Sequence, residues 1–263
     1  MPYADLGQFR LHYEEHGGGD PVVFLHGFTL DRRMWYGQAE QFRDDYRVLL
    51  LDARGHGLSD APSTGYGRAD RVSDVIAFAD VMGLDRFHVV GLSMGGTTAL
   101  GLALDYQERL NSLTLVSTGA AGYDVGKRYE ALDNLARQKG LEAAREKWLE
   151  MSLIWYREDR EEVRWLMETM INEHSGAVWM DPKRGRYSRE YDLDRVHEIT
   201  VPTKIIAGAL DQLFVPLAQQ LQARIAGSSL SVYEKVGHMV NLEVPEQFNQ
   251  ELKAFLEGVR VKS

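Results

Sequence analysis

Four short, uninterrupted apolar runs restrict the fold more than any other feature of this chain: VVFLH (residues 22–26), RVLLLD (47–52), FHVVG (87–91) and LTLVST (113–118). A strand wetted on one face alternates apolar and polar side chains, whereas a run that is apolar at nearly every position must be covered on both faces. Between these runs, Val72, Val75, Ile76, Ala79 and Met82 recur at helical spacing ahead of Gly83, and residues 100–104 continue a second helix. Buried strands joined by helices imply an α/β fold with a mostly parallel sheet flanked by helices on both sides. The same alternation returns near the carboxyl terminus as TKIIAG (203–208), a helix after Pro216, LSVYEK (230–235) and a helix carrying Phe248, Leu252, Phe255 and Leu256. At the other end, QFRLHYEE (8–15) alternates as a half-exposed strand does.

One segment breaks this rhythm. From about residue 122 to 195 the chain is charged and helical in pattern, with Trp148, Trp155, Trp165 and Trp179 and the methionines Met151, Met167, Met170 and Met180, and with no convincing strand. The expected organisation is a core of residues 1–119 and 199–263 interrupted by a helical cap, residues 120–198. Inserted between two core strands, the cap should lie over their carboxyl ends, where open α/β sheets bind ligands. Most of its aromatic side chains are expected to pack it onto the core, and a few to line a pocket.

Composition narrows the function classes. The 263 residues carry 30 Lys plus Arg against 39 Asp plus Glu, a net charge of −9 with no basic stripe, which argues against nucleic acid as a partner. The absence of cysteine excludes disulfides, thiolate zinc sites and a cysteine nucleophile. HYEEH (12–16) holds two histidines four apart, but on a strand rather than the helix a zinc motif needs, and no metal or cofactor is expected. The first residues lack a signal-peptide pattern and no apolar run reaches the ~18 residues of a membrane span, so a soluble cytoplasmic protein acting on a small molecule is expected, its oligomeric state open.

The chemistry concentrates at a serine. Gly91, Ser93 and Gly95 satisfy G-x-S-x-G between a strand and a helix, the context in which that pattern carries meaning. Small flanking residues permit a tight turn that presents the hydroxyl at the end of the sheet, beside the positive end of a helix. A neutral hydroxyl is a poor nucleophile and needs a base, with a third group to orient the base. Asp211 stands three residues beyond the glycine that ends a strand, and His238 lies in the loop after the last strand. Ser93, Asp211 and His238 then follow the chain order expected for a nucleophile elbow on a parallel sheet. Asp124 is the alternative acid. An acyl carbonyl under attack also needs two donors for its oxygen; the backbone N–H groups of Met94 and Phe28 are the candidates, with Gly27 letting the second turn inward. His26 reads as a brace for that loop.

At these residues the chain resembles the α/β-hydrolase superfamily with a helical cap. His26, Gly27 and Phe28 look like its oxyanion loop, DARGHGLSD (52–60) like its turn after a central strand, and Ser93, Asp211 and His238 like its nucleophile, acid and base. The resemblance implies a mostly parallel sheet of about eight strands with the cap inserted after the sixth, and is nearest to small bacterial esterases, perhydrolase-like enzymes and 3-oxoadipate enol-lactonases. A serine in place of aspartate separates the chain from haloalkane dehalogenases and epoxide hydrolases, and the loop HGFTLDRR lacks the Gly-Pro-Gly segment typical of meta-cleavage C–C hydrolases. The expected activity is hydrolysis of carboxylic esters or lactones through an acyl-enzyme. The alternatives are a C–C bond hydrolase with the same triad and a ligand receptor with negligible turnover. Arg32, Trp35 and Trp155 are candidates for substrate binding, an arginine as a clamp for an anionic substrate.

Overall fold

The computed structural model describes residues 2–123, 128–152, 160–181 and 191–259. Their eight strands form one sheet: β1 (Tyr3–Asp5), β2 (Arg10–Gly17), β3 (Asp20–Leu25), β4 (Tyr46–Leu51), β5 (Phe87–Leu92), β6 (Leu110–Val116), β7 (Thr203–Gly208) and β8 (Ser229–Tyr233). The spatial order is β1-β2-β4-β3-β5-β6-β7-β8. The first two strands are antiparallel, and every pairing from β4 to β8 is parallel. The mostly parallel sheet expected from the apolar runs is therefore present, with the eight strands that the resemblance implies.

Period-2 alternation explains why those runs are apolar throughout. Along β3, Val22 and Phe24 join one apolar cluster with Phe42 and Phe248, while Val23 and Leu25 join a second with Val72, Phe78 and Leu100. The first face is covered by α1 (Tyr36–Phe42) and, from the far end of the chain, by a helix spanning Pro245–Val259; α2 (Arg68–Val81) and α3 (Met94–Asp105) cover the second.

Between β6 and β7 the described chain holds only helical elements: α4 (Arg128–Lys139), α5 (Leu141–Ser152), α6 (Glu161–Glu173), α7 (Ala177–Met180) and α8 (Asp192–Arg195). Their apolar side chains, including Trp148, Met167, Ile171 and Trp179, are continuous with the first core cluster rather than a separate core. After β7 come α9 (Val215–Arg224), α10 (Val240–Glu243) and α11, the Pro245–Val259 helix. The strand expected at residues 8–15 runs two residues later, and the short edge strand β1 was not anticipated.

Candidate active site

The loop between β5 and α3 is one residue long. Gly91 and Gly95 face backbone: a Cβ on Gly91 would lie 2.3 Å from the Gly95 carbonyl oxygen, and one on Gly95 would lie 2.1 Å from that of Leu25. Any side chain at either position would push strand and helix apart, which is the steric reason for the two glycines. Ser93 between them takes φ 54° and ψ −108°, a region a side chain enters only when its surroundings over-determine it. Here its N–H donates to Val116 O at 3.0 Å and its carbonyl accepts from Thr97 N–H at 2.9 Å, so both backbone groups are held. Met94 is the first residue of α3, where an N–H has no carbonyl four residues back to bond.

Asp211 and His238 come from the loops after β7 and β8. Those loops are tied together by Ala209 N–H to Tyr233 O and Leu210 N–H to Val236 O, both 2.9 Å. Across them His238 Nδ1 meets Asp211 Oδ2 at 2.6 Å, with both side chains buried. With Nδ1–H donated to the carboxylate, the basic lone pair of the imidazole is on Nε2. The ring also packs on Phe214, centroids 5.1 Å apart. Glu243, fully buried on α10, accepts from Gly237 N–H at 2.9 Å and Met239 N–H at 3.2 Å and so grips the backbone on either side of His238. Sequence reasoning missed Glu243, because nothing local separates it from a solvated glutamate near a helix end.

The loop after β3 is pinned with equal care. His26 Nδ1–H donates to Gly27 O at 2.8 Å, and its Nε2 accepts from Ala53 N–H at 2.9 Å, so one neutral tautomer satisfies both bonds. Burial keeps the imidazole below its ordinary pKa. The Gly27 carbonyl also accepts from Leu30 N–H at 3.2 Å. Because a trans peptide is planar, fixing the Gly27 carbonyl fixes the Phe28 N–H in the opposite direction. A Cβ on Gly27 would be 3.8 Å from Ser93 Cβ, so this loop runs directly alongside the serine.

Ser93, His238, Gly27 and Phe28 line one narrow cavity, whose remaining wall is Thr29, Leu30, Tyr129, Trp148, Met167, Ile171 and Met239. Four of these, Tyr129, Trp148, Met167 and Ile171, come from the helices between β6 and β7, which therefore supply one wall of the cavity. The phenyl ring of Phe28 packs edge-on against Trp148 and Tyr129, at 5.3 and 5.6 Å between centroids.

Two of the expected substrate-binding residues are elsewhere. Arg32 is buried in ion pairs with Glu14 (2.6 Å) and Asp52 (2.9 Å), because those carboxylates on β2 and just beyond β4 reach it first; its guanidinium is a strut and not a clamp. Trp35 is a core residue, fully buried with its ring 5.1 Å from Phe24 and 6.2 Å from Phe248. Trp155 and the alternative acid Asp124 lie outside the described residues.

Comparison with known proteins agrees with this architecture. A family model of the α/β-hydrolase fold matches residues 20–245. The putative 2-succinyl-6-hydroxy-2,4-cyclohexadiene-1-carboxylate synthase of Bacillus subtilis is 30% identical, over 97% of either chain. A 2-hydroxy-6-oxo-6-phenylhexa-2,4-dienoate hydrolase of Comamonas testosteroni is also 30% identical, over 94% of this chain and 91% of its own. Among solved structures, the enol-lactonase from Burkholderia xenovorans LB400 superposes with a TM-score of 0.87 at 25% identity, covering 97% of this chain and 100% of its own. The chain belongs to the α/β-hydrolase fold family.

Proposed function

We propose that this chain is a serine hydrolase that cleaves carboxylic esters or lactones through an acyl-enzyme. Ser93 Oγ attacks the acyl carbonyl while His238 Nε2 takes its proton, and Asp211 holds the imidazole and stabilises its cation. The carbonyl oxygen becomes an oxyanion between the N–H groups of Phe28 and Met94. Collapse breaks the acyl–oxygen bond, the leaving alcohol takes the proton from His238, and water reverses these steps to release the acid from Ser93. The observation that carries the reading is the buried Asp211–His238 pair opening onto the same cavity as a serine held in a strained turn at a helix start. Residues 120–198 serve as the cap, and their aromatic and methionine side chains at the cavity wall favour apolar acyl or alcohol groups.

Replacing Ser93 by Ala tests this directly. Hydrolysis of p-nitrophenyl acetate and butyrate should vanish with the melting temperature nearly unchanged, and a fluorophosphonate probe should add its mass to the wild type alone. Turnover surviving in the variant would refute the assignment. The Comamonas testosteroni relative favours a second reading, C–C bond hydrolysis with the same three side chains. A vinylogous 1,5-diketone turned over faster than any ester or lactone in a panel would select it. Absence of both turnover and an acyl-enzyme burst, with a change of proteolytic pattern on ligand binding, would select a receptor.

A further inference from the structure

The inserted helices touch the oxyanion loop through a relay whose direction is dictated by chemistry. Trp148 on α5 is buried, and its indole Nε1–H donates to Thr29 Oγ1 at 2.6 Å. An indole nitrogen can only donate, so the threonine hydroxyl accepts there and spends its own proton on Phe28 O, also at 2.6 Å. Thr29 itself has φ 62°, an outlier for a β-branched residue that persists only under constraint. The two peptide planes flanking Phe28 Cα are thus fixed from different sources. His26 and Leu30 of the core hold the Gly27 carbonyl, and Thr29, itself held by Trp148 of the insertion, holds the Phe28 carbonyl. With the second plane freed, Phe28 is held from one side only, and the two bonds to the Gly27 carbonyl alone resist a tilt of the plane that carries its N–H.

We propose that Trp148 is a positioning residue for the oxyanion donor: through Thr29 it fixes Phe28, so that the site is complete only when α5 is seated on the core. This rests on the reading of Phe28 N–H as an oxyanion donor. A tryptophan that merely filled space would do its work through the ring, which packs edge-on against Phe28 at 5.3 Å, and a phenylalanine would preserve most of that contact.

The test separates the hydrogen bond from the packing. Trp148→Phe keeps an aromatic ring and removes the N–H; Thr29→Val keeps the shape and removes the hydroxyl. On p-nitrophenyl butyrate each should lower kcat by about tenfold or more with KM within about twofold, the pattern of a contact that matters only as negative charge develops. Affinity for a boronic acid, which forms a tetrahedral adduct on the serine, should fall by the same factor as kcat/KM. The double variant should be no worse than Thr29→Val alone, since both act through one relay, and Thr29→Ser should recover most of kcat. Melting temperatures establish that each variant is folded at the assay temperature, and Thr29→Val decides the matter if Trp148→Phe is not. Wild-type kcat in a folded Thr29→Val or Trp148→Phe variant, or a loss confined to KM, overturns the proposal. Residual turnover in Ser93→Ala would refute the hydrolase reading instead, whereas an inert Ser93→Ala beside an undiminished Trp148→Phe refutes the relay alone.

Discussion

Two buried histidine–carboxylate pairs occupy opposite regions of the sheet, and they differ in what surrounds them. At the antiparallel edge, His12 Nδ1 lies 3.0 Å from Asp52, whose carboxylate also accepts from the Arg32 backbone and guanidinium at 2.8 and 2.9 Å and from Leu58 N–H at 3.1 Å. Burial would raise the Asp52 carboxyl, but the hydrogen bond from His12, the nearby His26 and the charge and backbone N–H of Arg32 together outweigh it and hold the group below its ordinary pKa. That pair locks β2 to the turn after β4. At the carboxyl end, His238 and Asp211 make a shorter contact of 2.6 Å on two loops, and the imidazole borders a cavity with a serine. The lesson is that a histidine–aspartate contact says little about chemistry until the far edge of the ring is followed to what it faces.

The contrast is broken or sharpened most strongly by the same substitution in both places. Asp211→Asn should lower kcat by about 10⁴, because the amide favours the wrong imidazole tautomer, while the melting temperature changes little. Asp52→Asn should do the reverse, since it leaves Arg32 and His12 without their common anion: a loss of about 3–5 kcal/mol, read as a fall in Tm of about 10 °C, with kcat per folded molecule reduced less than about tenfold. Steady-state assays and thermal melts on the two variants decide it, and a swap of the two outcomes would reverse the roles assigned here.

Acid should separate the regions next. Burial lowers the pKa of both His26 and His56, and the neighbouring rings of His174 and His26 push His56 well below its ordinary 6.5. The unfolded chain takes up protons below about 6.5 that the folded chain refuses, so this contribution is intact above that pH and lost as pH falls. Each group contributes up to about 1.4 kcal/mol per pH unit. His56→Gln should flatten the fall in Tm between pH 6.5 and 5. Asp52 acts with the same sign in a lower window: its contribution is present above its ordinary 3.8 and lost only as pH drops toward its lowered folded value. Its charge also raises the His26 imidazole, so Asp52→Asn should not flatten the fall between pH 6.5 and 5 as His56→Gln does.

The smallest effect belongs to the ion pair between Arg33 and Glu173, which joins the loop after β3 to α6 at 2.5 Å. Glu173 is 59% exposed, so Glu173→Gln should cost less than about 1 kcal/mol, a shift of a few degrees in Tm that high salt abolishes.

What could be read from the chain and what could not divide along the same physical line. Strands buried on both faces announce themselves by composition, because each residue reports its own environment, and the elbow is legible because its glycines, serine and flanking elements are contiguous. Asp211 and His238 were reachable because strand ends in a parallel sheet share one edge. Arg32 was not, since its partners Glu14 and Asp52 lie 18 and 20 positions away and no local pattern distinguishes a buried strut from a solvated side chain. Trp35 failed for a related reason: an aromatic beside a functional loop reads the same whether it faces the cavity or the core. Among the aromatics of the insertion, Trp148 became identifiable only once Thr29 was found opposite it.

The apolar cluster on one face of the sheet runs without a break into α5, α6 and α7. Swinging those helices away as a rigid lid would wet Phe28, Trp148, Met167 and Trp179 together, at about 1.5–3 kcal/mol for each large apolar side chain. The cost rises with every helix moved, so an opening confined to a few side chains at the rim exposes the cavity for less than a swing of the whole group.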